Sequence, residues 1–196
     1  MSIIVMKFGG TSLGNKERVK IVSEKIIKNQ KLKKKVLVVV SAMGKFTNKL
    51  IAEYSKYSKC YFNPEYDLVV SAGEQISAGI LSAYLKEKGF KTRSLLGWQA
   101  PIKTDSFFGK ARIREINKDK IIKMFDCNDV IVMAGFQGVA ENNRISTLGR
   151  GGSDTSAIIV AKFFKANKCI IYTDVDGVMT TDPRVFNKAK KIKVIS

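Results

Sequence analysis

The chain has 196 residues, which is long enough for one sizeable domain or two small ones. Of these residues 45% are apolar, and the formal net charge is +18. It contains no histidine, which excludes a Ser-His-Asp triad, a His-assisted cysteine nucleophile and a histidine-ligated zinc ion. Cys60, Cys127 and Cys169 lack CxxC spacing and are expected to be reduced thiols of a soluble cytoplasmic protein, with Cys169 in a buried strand.

Short apolar runs alternate with segments of helical period along the chain. The runs at 3–8, 36–40, 92–96, 130–134 and 169–172 predict strands. Helices are predicted at about 15–29, at 50–57 and at 154–165. A further helix is predicted to carry Ile76, Ile80 and Leu81, with residues 67–71 as its lead-in. Unbroken aliphatic runs are typical of strands buried on both faces, so this alternation predicts an α/β fold, a three-layer αβα sandwich with a mostly parallel central sheet.

Small-residue loops follow four of the predicted strands. They begin at Gly9, Ser41, Gly135 and Thr173. Ligands of parallel sheets bind beyond the carboxyl ends of the strands, so we expect these loops at one edge of the sheet. The loop at 149–153 is expected to join them, because it leads directly into a helix.

Two glycine-rich loops indicate a site for negatively charged groups. Residues 148–156 read Leu-Gly-Arg-Gly-Gly-Ser-Asp-Thr-Ser, and residues 7–12 read Lys-Phe-Gly-Gly-Thr-Ser. Glycine lets the backbone approach a ligand closely, and free amides at a helix start point at negative charge. Together with the acidic turn at 173–177, these loops predict a phosphate-handling site. No Walker A pattern is present, so a kinase of this sequence needs a different phosphate cradle.

Several residues of these loops allow both a functional and a structural interpretation. Lys7 either reaches phosphate bound over the first glycine turn or extends into solvent at a sheet edge. Arg150 either binds a carboxylate with its planar fork or lies in a flexible surface loop. Ser153 or Asp154 is expected at the N-cap of the following helix, and Asp154 is also placed to orient Lys7 and keep it charged.

The remaining carboxylates are ambiguous on physical grounds alone. Glu74 precedes an amphipathic helix, so a first-turn acid favoured by the helix dipole is preferred over a ligand contact. Asp174 and Asp176 directly follow a predicted strand, where they either hold a metal or nucleotide or form an Asp-Gly turn. Arg184 lies near that same turn in the sequence.

Seven motifs of the chain resemble those of the aspartokinases, a family within the amino acid kinase superfamily. They are Lys7-Phe-Gly-Gly-Thr-Ser12, Val40-Ser-Ala-Met-Gly44, Ser71-Ala-Gly-Glu74, Ala134-Gly-Phe-Gln-Gly138, Leu148-Gly-Arg-Gly-Gly-Ser-Asp-Thr155, Tyr172-Thr-Asp-Val-Asp-Gly-Val178 and Asp182-Pro-Arg184. The resemblance extends over the whole chain in the same order and spacing. The first Gly-Gly loop is shared loosely across the superfamily, whereas the fifth and sixth motifs are more specific to aspartokinases.

This resemblance implies ATP-dependent phosphorylation of the β-carboxylate of L-aspartate to 4-phospho-L-aspartate, the first step of lysine, threonine and methionine biosynthesis. It implies L-aspartate and ATP as the bound partners and Mg²⁺ as a further cofactor. The ion is expected to be held by ATP oxygens and water, with no dedicated metal site in the protein. A homo-oligomer is expected for the full-length protein.

The resemblance also assigns roles to residues by position. The catalytic residues are Lys7 and Asp154. The nucleotide-binding residues are Lys7, Phe8, Gly9, Gly10, Ser41, Thr173, Asp174, Met179 and Arg184. The aspartate-binding residues are Thr47, Glu74, Arg150, Gly151, Gly152 and Ser153. Glu74 would then pair with the substrate ammonium, which reverses the interpretation from the helix dipole, and Met179 stands where the family often has an aromatic side chain.

Residues 1–196 are expected to form an amino acid kinase catalytic domain. The resemblance implies that the end of the nucleotide lobe and the regulatory ACT domains are absent, so we expect an incomplete ATP site and no feedback control. Lys7 interrupts the first apolar run too early for a signal peptide. No stretch is expected to reach transmembrane length, and no membrane partner is expected.

Three alternatives stay open. Another amino acid kinase would act on glutamate, acetylglutamate or UMP, although Glu74 and the Arg150 loop favour a substrate with a free α-ammonium. A basic nucleic-acid-binding protein is suggested by 35 Lys and Arg against 17 Asp and Glu. This alternative is disfavoured, because no nucleic-acid-binding motif accompanies the lysines. The third alternative is a catalytically inactive regulatory subunit.

Overall fold

Strands and helices alternate in the structure, a computed structural model that describes residues 2–32, 34–99, 102–149, 151–173, 177, 180–181 and 185–192. The strands are β1 (Ile3–Phe8), β2 (Lys35–Val40), β3 (Thr92–Leu95), β4 (Ile102–Thr104), β5 (Ile113–Ile116), β6 (Val130–Ala134), β7 (Gln137–Val139), β8 (Ile145–Thr147) and β9 (Lys168–Tyr172). The helices are α1 (Lys16–Gln30), α2 (Phe46–Tyr54), α3 (Pro64–Glu87), α4 (Lys118–Met124) and α5 (Gly152–Phe163).

Five strands of the described chain form the central sheet, in the order β3-β6-β2-β1-β9. Every neighbouring pair is parallel. All residues of β1 and β6 are buried, as expected for strands covered on both faces. The predicted αβα class with a parallel sheet is confirmed, and the bounds of these strands lie within one residue of the predicted ones.

Helices cover both faces of the central sheet. On one face, α1 and α3 pack over a core that includes Met6 and Leu81. On the other face, α4 and α5 pack over a core that includes Val5 and Ile121. Because side chains alternate along a strand, Lys7 lies on the same face as Val5, which is the face covered by α5.

A smaller mixed sheet has the strand order β5-β4-β7-β8 and is not predicted from the sequence. Its strands are three or four residues long, too short to show a clear alternating pattern. The seven-residue α4 is missed for the same reason. Within this sheet β7 and β8 are antiparallel. Together they connect the end of β6 to the glycine-rich loop before α5.

Helix α3 begins earlier than predicted. The Asn63 side chain accepts a hydrogen bond from Tyr66 N at 2.8 Å, and Pro64 occupies the first helical position. The helix has 24 residues and is long and apolar enough to cross a membrane by length and composition, so the prediction that no stretch reaches that length is wrong. Half of its apolar window is buried, with Val70 and Leu81 in the core, which is typical of a central core helix.

The other helices start closer to their predicted positions, whereas the burial of Cys169 differs from its prediction. α1 and α5 begin within two residues of the prediction, whereas α2 begins four residues earlier. Cys169 lies in a strand as predicted, but its predicted burial is wrong, because it is exposed. The reason is that β9 lies at the edge of the sheet in the described chain.

Candidate functional site

A cleft of about 630 Å³ opens where the parallel strands end. The loops after β1, β2 and β6 reach this edge, and the start of α5 joins them, as expected for a ligand site of a parallel sheet. The predicted site residues that line the cleft are Lys7, Gly10, Ser41, Thr47, Glu74, Gly151, Gly152, Ser153 and Asp154. The structure therefore brings most of the predicted site together.

The other predicted site residues lie beside this cleft or outside the described residues. Phe8 is fully buried on the α1 face, where its ring stacks on Tyr172 with centroids 4.6 Å apart. With Thr173 it lines a second cavity of about 190 Å³. Gly9 lies next to Lys7, since a Cβ atom at position 9 would be 3.5 Å from Lys7 Nζ. Arg150, Asp174, Met179 and Arg184 lie outside the described residues.

Lys7 forms an ion pair at the base of the cleft. Its Nζ lies 2.7 Å from Asp154 Oδ1, and its side chain is 10% exposed. β1 is flanked by β2 and β9, so the alternative in which Lys7 extends into solvent at a sheet edge is wrong. Burial of an ammonium is tolerated because the carboxylate compensates its lost hydration, and the pair keeps a cation aimed at the cleft.

The start of α5 differs from the prediction in its cap. Gly151 is the N-cap residue and has a left-handed φ of 73°, a conformation that glycine adopts without strain. Ser153 and Asp154 therefore occupy the second and third helical positions, and the prediction that one of them is the N-cap is wrong. The shift places both side chains at the cleft while the helix start still presents its amides there.

Two glycines of the cleft are required by close packing. A Cβ atom at Gly10 would lie 2.5 Å from the Ala42 carbonyl oxygen, and one at Gly152 would lie 2.8 Å from Phe136 Cδ2. The loop after β2 is also bonded to the first glycine turn, because Gly44 N donates to Gly10 O at 2.9 Å. The cleft floor is therefore built from loops in direct backbone contact.

Glu74 is a buried acid inside α3 and not a first-turn acid. Its residue is 3% exposed, and its Oε1 accepts a hydrogen bond from Ala42 N at 3.0 Å. Oε2 is buried and has no hydrogen-bond partner in the described part of the chain. Burial raises the pKa of Glu74 from 4.5 to about 7, against the opposing effect of the Ala42 hydrogen bond. Buried polar atoms are normally satisfied, so Oε2 is an unused acceptor on a residue that lines the cleft.

The aromatic wall of the cleft is not predicted from the sequence. Tyr61, Phe62, Tyr66 and Phe136 line it, and the Tyr66 ring meets the Tyr61 ring edge-on with centroids 5.5 Å apart. Phe136 has a positive φ of 66°, which is uncommon outside glycine. The residue types around Phe136 do not predict that conformation. The cluster of aromatic residues just before α3, in contrast, could have been used to predict an aromatic wall.

A second buried acid of α3 is also missed. Asp67 is fully buried and lies seven residues before Glu74. Residues seven apart lie two turns apart on one helix face, so this spacing was a usable signal. Asp67 accepts hydrogen bonds from Gly109 and Thr147, two residues that line the cleft.

Comparison with known proteins gives the family. Residues 2–196 match the model of the Amino acid kinase family. The chain belongs to the amino acid kinase family. Within that family it is similar to proteins named aspartokinase, with 49% identity over 196 residues to the one from Geobacillus stearothermophilus. It is 43% identical to aspartokinase 2 of Bacillus subtilis. Each match covers 100% of this chain and 48% of the relative, so this family member spans about half the length of the curated relatives it matches.

Solved structures of the family resemble this chain in fold. The structure of Escherichia coli aspartokinase III in complex with aspartate and ADP matches with a TM-score of 0.86 and 25% identity, covering 97% of this chain and 53% of that one. Aspartate kinase from Synechocystis matches with a TM-score of 0.78 and 40% identity, covering 96% of this chain and 31% of that one. The αβα architecture is therefore that of the amino acid kinases.

Proposed function

We propose that this chain is the catalytic domain of an aspartokinase, which transfers the γ-phosphoryl group of ATP to the β-carboxylate of L-aspartate. The observation that carries the proposal is that Glu74, with its unpaired buried oxygen, lines the same cleft as the Lys7–Asp154 ion pair. A position for an ammonium group and a position for phosphate thus meet in one cavity. The relatives named aspartokinase support the same function.

The acceptor half of the site binds aspartate by its α-ammonium and α-carboxylate. Glu74 Oε2 accepts from the ammonium, and the amides at the start of α5, together with Arg150 and Thr47, bind the carboxylate. UMP and acetylglutamate carry no free α-ammonium, so a buried acid at this position disfavours them. Glutamate has both groups and differs from aspartate by one methylene, which makes it the sharper competitor.

The transfer step needs no general base. The β-carboxylate of aspartate is already ionised at pH 7, because carboxyl pKa values lie near 4. Lys7, paired with Asp154, and the amides of the glycine loops stabilise the charge of the moving phosphoryl group. Lys45 and Lys110 also line the cleft and, within the described residues, belong to no ion pair, so they add positive charge for a polyphosphate.

In this proposal, Mg²⁺ would bind as a complex with the nucleotide and not at a separate protein site. The described part of the chain contains no group of three or more Cys, Asp or Glu side chains that could hold a metal ion. Asp154, with a side chain 45% exposed in the cleft, would be the protein carboxylate nearest the ion, and phosphate oxygens and water would supply its other ligands. When bound, it neutralises charge on the β- and γ-phosphates; Lys7 and the loop amides orient the same groups.

The wider proposals follow from the resemblance to aspartokinases. The nucleotide binds against Phe8, Gly9, Gly10 and Ser41, and at Thr173, Asp174, Met179 and Arg184. The product 4-phospho-L-aspartate enters lysine, threonine and methionine biosynthesis in the cytoplasm. Residues 1–196 act as a catalytic domain, and the complete protein is a homo-oligomer.

A coupled assay of ADP release tests the proposed function. With the complete gene product, MgATP and one acceptor at a time, we expect ADP release to depend on aspartate and to be much slower with glutamate or UMP. A preference for glutamate or UMP contradicts the proposal. Binding to nucleic acid that falls steeply with salt, without any response to aspartate, supports the nucleic-acid alternative instead. The same assay on residues 1–196 alone measures the activity of these residues by themselves.

A further inference from the structure

Asp67 is a fully buried carboxylate that is held by neutral donors. Gly109 N donates to both of its oxygens at 3.0 Å, Thr147 N donates to Oδ2 at 2.7 Å, and Thr147 Oγ1 donates to Oδ1 at 2.7 Å. No lysine or arginine of the described chain lies within ion-pair distance of it. Burying a charge without a counter-ion is costly, so this residue is a poor choice if fold stability is its only role.

The groups that Asp67 holds are two walls of the cleft. Gly109 sits in the turn before β5 with a φ of 78°, and Ala111 N donates to Thr147 O at 2.8 Å, which ties this turn to β8. Gly149 then follows in the glycine-rich loop, where a Cβ atom would be 3.4 Å from Gly109 O. A single carboxylate therefore joins the turn, the end of β8 and the approach to the start of α5.

Asp67 and Glu74 lie on one rigid element. They are seven residues apart in α3, which separates them by two turns, or roughly 10 Å along the axis. In the proposed function Glu74 binds the substrate ammonium. Because Asp67 holds the wall at Gly109 and Thr147 from the same helix, helix geometry sets the spacing between Glu74 and the residue that anchors this wall.

We propose that Asp67 is a specificity-determining positioning residue, which fixes the walls at Gly109 and Thr147 relative to Glu74 and so fits the acceptor pocket to a four-carbon dicarboxylic amino acid. This inference rests on the proposed function. Release of the walls gives the pocket room for one more methylene, and the preference for aspartate over glutamate falls. A methylene in a fitted pocket is worth roughly 10- to 200-fold in discrimination.

The test compares Asp67→Asn with wild type in the complete gene product. Asparagine has one acceptor oxygen, and its NH₂ group would face the N–H donors of Gly109 and Thr147. We expect the ratio of kcat/KM for aspartate to kcat/KM for glutamate to fall about tenfold or more. A purely structural role lowers the amount of folded enzyme and scales both constants equally, so it leaves this ratio unchanged.

Two further variants complete the test. Glu65→Gln removes an exposed acid from the same helix turn, where Glu65 pairs with Arg144, and is expected to leave the ratio at its wild-type value. Thr147→Val removes only the hydroxyl donor to Asp67, so it gives a smaller fall in the ratio and serves if Asp67→Asn does not fold. The inference is wrong if Thr147→Val, and Asp67→Asn where it folds, keep the wild-type ratio; that outcome leaves the proposed function intact. If the wild-type protein itself shows no aspartate-dependent ADP release, the proposed function is wrong.

Discussion

The backbone N–H of Ala42 donates to Glu74 Oε1 at 3.0 Å and thereby joins the loop after β2 to the middle of α3. The second carboxylate oxygen has no partner within the described chain, and burial raises the pKa of Glu74 to about 7. In the protein without ligand, Glu74 therefore changes its protonation state near pH 7. A cationic ligand group in the cleft would favour the ionised form.

The pKa of Glu74 predicts a pH dependence of aspartate binding. The substrate ammonium pairs with the ionised carboxylate, so protonation of Glu74 competes with binding as the pH falls below about 7. Between pH 8 and pH 6 we expect the dissociation constant for aspartate to rise about tenfold. Isothermal titration calorimetry across this range measures it. Glu74→Gln is expected to bind aspartate more weakly at pH 8 and with a flat profile, and an equally steep profile in that variant assigns the proton to another group.

The same shift predicts a pH dependence of stability without ligand. A carboxyl whose pKa rises from 4.5 to about 7 on folding binds its proton more tightly in the folded state. Its contribution to stability is fully present below pH 4.5 and is lost as the pH rises to about 7. The loss is on the order of 3 kcal/mol. Urea denaturation should therefore give a free energy of unfolding for Glu74→Gln that increases relative to wild type from pH 5 to pH 8; a constant difference contradicts the shift.

Replacement of Lys7 should affect the chemical step. We expect Lys7→Ala to lower kcat by about 10² to 10³, the range for loss of one donor to a developing charge, with little change in the KM for aspartate. Lys103→Ala is the matched control, since Lys103 forms an exposed ion pair with Glu115 at 3.0 Å. Circular dichroism checks folding, because Asp154 loses its cation in the variant. An unchanged kcat in a folded Lys7→Ala protein removes Lys7 from the mechanism.

The predictable parts of the structure are those written in residue type over several positions. The aliphatic run of β2 and the glycines at 10 and 152 give the central sheet and the cleft floor, because burial and close backbone approach restrict residue choice directly. The predicted position of Glu74 in the first turn of its helix is wrong, because α3 starts at the Asn63-Pro64 signal and not at the later apolar residues. A sequence also does not distinguish a buried acid from a first-turn one.

Other features depend on contacts between distant segments. β4 and β7 are three residues long and exist because they pair with each other and with their neighbours. The positive φ of Phe136 and the bonds of Asp67 likewise arise from tertiary packing. Local propensity cannot predict these features, since the stabilising partner lies far away along the chain.

Gly10 and Gly79 offer a matched pair that separates close packing from ordinary helix propensity. A Cβ atom at Gly10 would lie 2.5 Å from Ala42 O and 3.0 Å from Gly44 O. One at Gly79 in α3 would meet no atom within 4 Å beyond its chain neighbours and the adjacent backbone of its own helix. Gly10→Ala must displace the backbone of the loop after β2, so we expect a loss of about 1–3 kcal/mol in the free energy of unfolding.

Gly79→Ala should instead stabilise the protein by about 0.5–1 kcal/mol, because alanine is the better helix former. Urea denaturation measures both changes. Since that loop also carries Ser41 and the Ala42 amide that bonds Glu74, Gly10→Ala should raise the KM for aspartate, and Gly79→Ala should not. Equal effects of the two substitutions on stability and KM would refute the packing argument, because the alanine methyl is the same and only its surroundings differ.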